Sequence, residues 1–309
     1  MKAFYSDHFV LPLPEGHRFP MAKYKMLRDS VEGLPNLELV EAPCATDSEL
    51  LLAHDPSYIQ DVLHGTLSEA QQKEIGFPWS PKMVERSRRS AGATIAACKA
   101  ALEEGISANL AGGTHHAYRN KGSGFCVFND AAIAARVLLK DSRAKAGGIR
   151  KIGILDLDVH QGDGTAAILQ HDSAVITVSV HGEKNYPFAK EVSDLDIALA
   201  DGSTDSVYMQ ALEQALIYLS EQKIDFLIYL AGADPYYEDR LGRLQISQEG
   251  MALRDYKVLE FASTQGIAMA LAMAGGYANP IEKTVQIHAQ TIGLALAHQH
   301  TIATSLLKR

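Results

Sequence analysis

Cysteine and long apolar runs are scarce in this chain, and each scarcity excludes a class of protein. Three cysteines among 309 residues, Cys44, Cys98 and Cys126, are too few and too widely spaced for a disulfide framework or a cysteine-rich zinc module. No uninterrupted apolar run reaches the roughly 20 residues of a membrane-spanning helix. The N-terminus meets Asp7 and His8 before a signal-type apolar core forms. We therefore expect reduced thiols, no membrane insertion and a cytoplasmic location.

Positive charge is also in short supply. Lys and Arg number 29 against 37 Asp and Glu, which gives a formal net charge of −8. Nucleic-acid binding needs a basic face, so we expect no nucleic-acid partner. Hydrophobic residues make up 47% and charged residues 21%, which is ordinary for a globular protein and excludes intrinsic disorder. Without an internal repeat or a Pro/Gly/Ser-rich linker, the sequence predicts one domain over residues 1–309.

Short apolar runs alternate with helical patterns, which predicts an α/β fold with a central parallel β-sheet and helices on both faces. Several runs are apolar throughout, as is typical of strands that are covered on both faces. The predicted strands are 3–5, 37–41, 109–111, 151–155, 175–180, 226–230 and 267–272.

Capping residues mark the starts of helices. Thr46 and Glu49 have the spacing of a capping box, and Asp55 and Ser80 each precede a proline at the first helical position. Longer helices are predicted over 81–104, 129–139, 204–221, 248–263 and 280–298.

Polar, glycine-containing loops follow five of the predicted strands. In an open parallel α/β sheet, ligands bind beyond the carboxyl ends of the strands. We therefore predict an active site at the C-terminal ends of the strands. The loops are 112–129, 156–164, 181–188, 232–241 and 275–278.

The strongest cluster is Asp156, Asp158, His160 and Asp163, three carboxylates and an imidazole within eight residues. In an extended chain, Asp156, Asp158 and His160 point the same way, because side chains alternate. Carboxylates at the end of an apolar strand are unfavourable unless they are paired or bound to a metal. Although Asp163 could be a simple turn or cap residue, the cluster as a whole indicates a site for a divalent metal such as zinc.

Three further motifs each allow both functional and structural interpretations. The adjacent His115 and His116 follow a glycine pair and could ligate a metal, act as acid and base near pH 7, or simply form loop hydrogen bonds. Asp234, before Pro235, could be a further metal ligand or a helix cap. Tyr277 follows two glycines and could enter a site or pack in the core.

Together these motifs resemble the arginase/deacetylase fold and, within it, the histone deacetylase family, most closely class IV and its bacterial relatives. The resemblance runs from about Tyr5 to the final helix. It implies a zinc-dependent hydrolase that removes acetyl or longer acyl groups from lysine side chains. The segments that carry it are GGTHHAYRNKGSGFCVFND, DLDVHQGDG, AGADPYYEDRLGRLQIS and AGGYA, and GHRFPMAKY and Gln161 point to class IV.

The resemblance implies a role for each motif residue. Asp158, His160 and Asp234 match the ligands of a catalytic Zn²⁺, with Fe²⁺ as an alternative and one coordination position open. The other catalytic residues are His116 as general base, with the Asp163 carboxylate behind it, and His115 as the second histidine, with Asp156 behind it. Tyr277 matches the hydroxyl that polarises the scissile carbonyl.

Further expectations concern the substrate and a structural ion. Gly124 and Phe125 match one wall of the substrate tunnel, and Tyr186 resembles the facing wall. The resemblance also implies a structural K⁺, held in part by backbone oxygens, at Asp156, Asp158, His160, Ser179 and Val180.

Segment 72–79 has no clear counterpart of the rim aspartate that grips peptide substrates in class I and II relatives. Glu74 is the nearest match, and Trp79 could lie on the rim or pack. Acetylated polyamines or other small amides therefore remain alternative substrates to acyl-lysine proteins and peptides.

Two other functions are less favoured. A non-catalytic acyl-binding module could have lost some of the ligands, histidines or tyrosine, yet all are present. An arginase-type ureohydrolase would need a second Asp-x-His-x-Asp segment. No oligomeric state is indicated. Of the remaining residues, His54 and His288 are predicted to be surface or packing residues, and Asp194 and Asp196 to lie in a turn.

Overall fold

A computed structural model describes residues 1–142 and 148–306 of the chain. Its β-strands are β1 (Lys2–Tyr5), β2 (Glu38–Glu41), β3 (Ile106–Asn109), β4 (Ile152–Asp156), β5 (Val175–Gly182), β6 (Leu195–Leu199), β7 (Phe226–Leu230) and β8 (Ala268–Ala272). Its helices are α1 (Ala22–Val31), α2 (Asp47–Leu50), α3 (Pro56–His64), α4 (Glu69–Ile75), α5 (Pro81–Glu104), α6 (Asp130–Ser142), α7 (Asp163–Leu169), α8 (Asp205–Glu221), α9 (Gln248–Gln265) and α10 (Glu282–Leu306).

The strands form one parallel sheet in the order β2-β1-β3-β8-β7-β4-β5-β6. Helices cover both faces: α1, α8, α9 and α10 pack on one, and α2 to α7 on the other. Adjacent residues of a central strand serve opposite layers, as Ile154 and Leu155 do in β4. This double coverage explains why the central strands are apolar throughout, and it confirms the predicted α/β architecture.

Local signals set the helix bounds. Helix α5 begins where the Ser80 side chain accepts a hydrogen bond from the Met83 N–H, and it ends at Gly105, which adopts a φ of 85°. The capping box of Thr46 and Glu49 is formed as predicted. Helix α10 runs on to Leu306, beyond the predicted end at 298. No helix of the described ranges is long and apolar enough to cross a membrane.

Two strand predictions need correction. Strand β3 lies at Ile106–Asn109, three residues before the predicted start, because the chain enters the sheet directly after the turn at Gly105. Strand β6 was not predicted at all, since Asp194 and Asp196 suggested a turn. Asp196 instead lies within β6, an edge strand whose alternating burial leaves one face in solvent.

Candidate active site

The predicted motifs meet at the carboxyl ends of four adjacent strands. The histidine pair follows β3, Tyr277 follows β8, Asp234 follows β7, and Asp158 with His160 follows β4. Since β3, β8, β7 and β4 are neighbours in the sheet, their loops are brought together although the chain separates them widely. The edge predicted to bind ligand is the edge at which these side chains converge.

Asp158, His160 and Asp234 form a buried cluster whose possible ligand atoms all lie within 4.8 Å of one another. Oδ1 of Asp234 accepts a hydrogen bond from the Val159 N–H, whereas the buried Oδ2 makes no hydrogen bond and lies 3.4 Å from Nδ1 of His160. Burial and the nearby charge of Asp158 raise the pKa of Asp234 to about 7. A carboxylate oxygen without a hydrogen bond, beside a second buried carboxylate and an imidazole, fits a divalent cation such as Zn²⁺ or Fe²⁺.

A glycine lets the tyrosine loop approach this cluster. The Gly275 N–H donates to Oδ2 of Asp158 at 2.8 Å. A Cβ at this position would overlap with the carboxylate oxygens of both Asp158 and Asp234. The glycine is therefore needed for close approach of the backbone to the cluster.

Each of the adjacent histidines is held by its own carboxylate. His115 Nδ1 lies 2.6 Å from Asp156 Oδ2, and His116 Nδ1 lies 2.5 Å from Asp163 Oδ1. All four side chains are buried. Asp130 at the start of α6 accepts hydrogen bonds from the backbone just before the pair, which anchors the loop. The predicted His115–Asp156 and His116–Asp163 pairs are thus both present.

The two histidines differ in charge. Burial opposes protonation of His115, but Asp156 and Asp158 outweigh it and raise its pKa to about 9. Burial and the positive charge of His115 lower the pKa of His116 to about 4. At neutral pH His115 is therefore charged and His116 is neutral. Asp163 accepts the Nδ1 proton of His116, which leaves Nε2 as the free base.

Tyr277 is positioned through its backbone by a residue that the sequence reasoning did not single out. The Asp239 carboxylate accepts hydrogen bonds from the N–H groups of Tyr277, Leu241 and Gly242 at 2.5, 2.8 and 3.0 Å. Asp239 lies in the quoted EDRLGRLQIS segment, so the signal was present without an assigned role. The Tyr277 side chain lines the cavity in front of the acidic cluster.

That cavity has a volume of about 480 Å³ and is lined by His116, Asp158, His160, Asp234 and Tyr277 together. All five side chains are buried. One cavity therefore holds the acidic cluster, the free base and the tyrosine.

The residues predicted to wall the tunnel, Gly124, Phe125 and Tyr186, all line this cavity. Phe125 packs against Phe19 and Phe77, two aromatics that were not predicted to take part. The Tyr186 ring lies edge-on to His116 at a centroid distance of 4.9 Å. The passage to the acidic cluster is therefore lined by aromatic rings.

His17 contacts the Phe77 and Phe125 rings, and its Nε2 lies 2.9 Å from the Gly76 carbonyl oxygen. His54 and His288 are buried packing residues, as expected.

The two rim residues behave differently. Glu74 lines the cavity but is ion-paired with Lys121 at 2.6 Å. The Trp79 indole N–H donates to the Val62 carbonyl oxygen, and its ring packs over Gly65. Trp79 therefore packs beside the cavity instead of lining it. The potassium site at Asp156, Asp158, His160, Ser179 and Val180 stays a prediction.

A parallel sheet that carries a buried acidic cluster and paired histidines at the carboxyl ends of its strands has the architecture of the arginase/deacetylase fold. Residues 17–292 match the family profile described as "Histone deacetylase domain". The chain thus belongs to the histone deacetylase family, a group of deacetylases and amidohydrolases.

Similar proteins support this membership. An uncharacterized protein of Picosynechococcus is 42% identical over 92% of this chain and 94% of its own length. Histone deacetylase 2 of Arabidopsis thaliana is 32% identical over 77% of this chain and 63% of its own length. The crystal structure of acetylpolyamine aminohydrolase from Burkholderia pseudomallei has a TM-score of 0.76 at 19% identity, covering 96% of this chain and 99% of that chain, which shows the shared fold.

Proposed function

We propose that this protein is a zinc-dependent, class IV-like deacylase that removes acetyl or longer acyl groups from lysine side chains in the cytoplasm. One observation carries the proposal: Asp234, whose buried Oδ2 makes no hydrogen bond, lines the same cavity as the free base of His116 and the Tyr277 ring. Amide hydrolysis needs an activated water, a polarised carbonyl and a proton for the leaving amine. These groups supply all three.

A divalent ion held by Asp158, His160 and Asp234 would supply Lewis-acid activation of water and of the substrate carbonyl. Nε2 of His116 takes a proton from the attacking water and later returns it to the leaving amine. The Tyr277 hydroxyl donates to the carbonyl oxygen as that oxygen gains negative charge, a contribution of about 3 kcal/mol for one such donor. The charged His115 offsets negative charge in the same space.

The charges at the cavity mouth favour acyl-lysine over polyamine substrates. Among the described residues that line the cavity, Glu74 is the one exposed acidic residue, and it is paired with Lys121. Acetylated polyamines carry positive charge, so a cationic mouth would repel them. The same charges favour acyl-lysines flanked by acidic residues over those in basic tails. The exposed cations of the mouth are Arg18, Lys73 and Lys184, together with Arg243, which is paired with Asp201 at 3.3 Å.

The test is the rate of hydrolysis by the zinc-loaded protein across acetyl-, butyryl-, octanoyl- and myristoyl-lysine peptides and acetylated polyamines. We expect the highest kcat/KM on a lysine peptide with acidic neighbours. A maximum on polyamines would overturn the lysine assignment. No turnover anywhere, with zinc bound, would instead support a non-catalytic acyl-binding module.

Two substitutions test the assigned roles. We expect Tyr277→Phe to lower kcat by about 100-fold and His116→Ala by 100-fold or more, at roughly unchanged zinc content and circular dichroism. The exposed Tyr256→Phe and His64→Ala are matched controls and should retain wild-type rates. Full activity in Tyr277→Phe or His116→Ala would refute the mechanism.

A further inference from the structure

Two buried cations line the same cavity as the acidic cluster. Lys23 on α1 is 3% exposed and Arg86 on α5 is 6% exposed, and both contribute to the lining. The Lys23 ammonium approaches the carbonyl oxygens of Ala274 and Gly276 at 3.4 and 3.3 Å, which are long contacts for a charged donor. Nη1 of Arg86 donates to the Ser6 carbonyl oxygen at 2.7 Å.

Neither cation forms an ion pair with a carboxylate among residues 1–142 and 148–306. The buried Asp7, which follows Ser6 in the chain, pairs through Oδ2 with Arg28 at 3.2 Å. Burying a charge without an opposite partner is unfavourable, so two such cations at one cavity indicate an anionic occupant. Carbonyl oxygens orient them but cannot balance their charge.

Their position relates this positive charge to the proposed reaction. Lys23 Nζ and Arg86 Cζ lie 5.2 and 4.3 Å from the centre of the Tyr24 ring, so both belong to one end of the cavity. Lys23 Nζ is also 5.2 Å from the centre of the Tyr277 ring. Both cations are buried whereas the cations of the mouth are exposed, so this end is the inner end of the cavity.

We infer that the inner end binds a carboxylate, and that the preferred acyl group is a dicarboxylic one such as succinyl or glutaryl. This inference rests on the proposed deacylase function. The far carboxylate of a succinyl group is three C–C bonds from the scissile carbonyl carbon, about 4 Å, and that of a glutaryl group is one bond farther. These lengths are comparable to the 5.2 Å between Lys23 Nζ and the centre of the Tyr277 ring, so a carboxylate on an acyl group held beside Tyr277 can pair with Lys23.

The reaction needs no further reactant. Water adds to the acyl carbonyl carbon, the amide C–N bond breaks, and the lysine amine takes up a proton. The products are the free lysine side chain and succinate or glutarate. A butyryl group of similar length would place a methyl group against the two cations and leave them unpaired.

A carboxylate at this end could also come from a simple product such as acetate, and the experiment separates the two sources. It measures kcat/KM of the zinc-loaded protein on acetyl-, butyryl-, succinyl- and glutaryl-lysine in one peptide sequence. We expect succinyl or glutaryl to exceed butyryl by about tenfold or more. Lys23→Met and Arg86→Met should lower that ratio by about tenfold, and Arg86→Lys should restore part of it.

The control variant is Lys25→Met on the same helix, since the Lys25 side chain is 64% exposed and pairs with Asp29. It should leave the ratio unchanged. A second readout avoids both zinc and turnover: calorimetric binding of succinate, glutarate and butyrate to protein freed of metal by dialysis. The dicarboxylates should bind more tightly than butyrate, and Lys23→Met should remove the difference.

Three results would overturn the inference. Acetyl-lysine hydrolysis without a preference for succinyl or glutaryl over butyryl would refute it and leave the deacylase function standing. Equal losses on all four substrates in Lys23→Met and Arg86→Met would assign the cations to product binding or to folding. If nothing is hydrolysed, the proposed function fails, and the binding measurement decides: selective dicarboxylate binding supports the site, and its absence overturns it.

Discussion

The negative charge of Asp234 is expected to lower the free energy of unfolding of the metal-free protein and to raise that of the metal-bound protein. The side chain is 0% exposed, and its Oδ2 has no hydrogen-bond partner. Without a metal this charge lies near the buried carboxylate of Asp158, and burial together with Asp158 raises the pKa of Asp234 from 3.8 to about 7. The Asp234→Asn substitution removes the charge and keeps an oxygen for the Val159 N–H.

The size of the expected stability change follows from the pKa values of Asp234 in the folded and unfolded states. Because the folded-state pKa of Asp234 lies above the unfolded one, its contribution to stability is greatest below pH 3.8 and is lost as pH rises through about 7. A difference of about 3 pKa units corresponds to about 4 kcal/mol. The substitution also removes the pairing of Asp234 Oδ2 with His160 Nδ1 at 3.4 Å, so we expect metal-free Asp234→Asn to be more stable than the metal-free wild type at pH 8 by less than about 4 kcal/mol. Near pH 4 the two should be equal.

Urea denaturation of dialysed protein at pH 4, 6 and 8, with and without zinc, measures this. At a free zinc concentration about 100 times its Kd, the wild type should gain about 2.7 kcal/mol, and the variant, which lacks a ligand charge, far less. The exposed Asp201→Asn serves as control. A metal-free Asp234→Asn that is less stable than wild type at pH 8, or equal stabilisation of both by zinc, would refute the reasoning.

Three further predictions concern other parts of the molecule. Gly275→Ala should displace the carboxylates of Asp158 and Asp234 and lower zinc affinity at least about tenfold, measured by competition with a chelator. Burial lowers the pKa of His54 to about 4, so stability is lost as pH falls from 6.5 toward 4. The stability difference between wild type and His54→Gln should thus shrink by about 3 kcal/mol over that range, measured by urea denaturation. Thr46→Ala removes a capping box and should lower the free energy of unfolding by about 1 kcal/mol, measured the same way at pH 7.

The central strands could be predicted because burial on both faces leaves a continuous apolar run in the sequence. Strand β7 has the predicted bounds for this reason. The edge strand β6 could not, since Asp196 and the exposed alternate positions give it the composition of a loop. Its strand geometry depends on pairing with β5, which local sequence does not reveal.

The site residues likewise divide into those that local sequence predicts and those that it does not. The histidine pair, the metal cluster and Tyr277 lie in short motifs whose residue types already indicate chemistry. Asp239 and Lys23 act through tertiary contacts instead. Lys23 meets the Ala274 carbonyl oxygen across 251 positions of sequence, and no local pattern signals such a contact.

The strand order also has a kinetic consequence. Strand β8 lies between β3 and β7, so Ile106 pairs with Met269 even though the two are far apart in the chain. Closing so long a loop is entropically unfavourable, and such pairings form slowly. Because the histidine pair and Tyr277 follow the two strands joined by this contact, no partially folded species that lacks it can hold them side by side. During refolding, recovery of turnover should therefore coincide with completion of the sheet and lag behind the formation of helices.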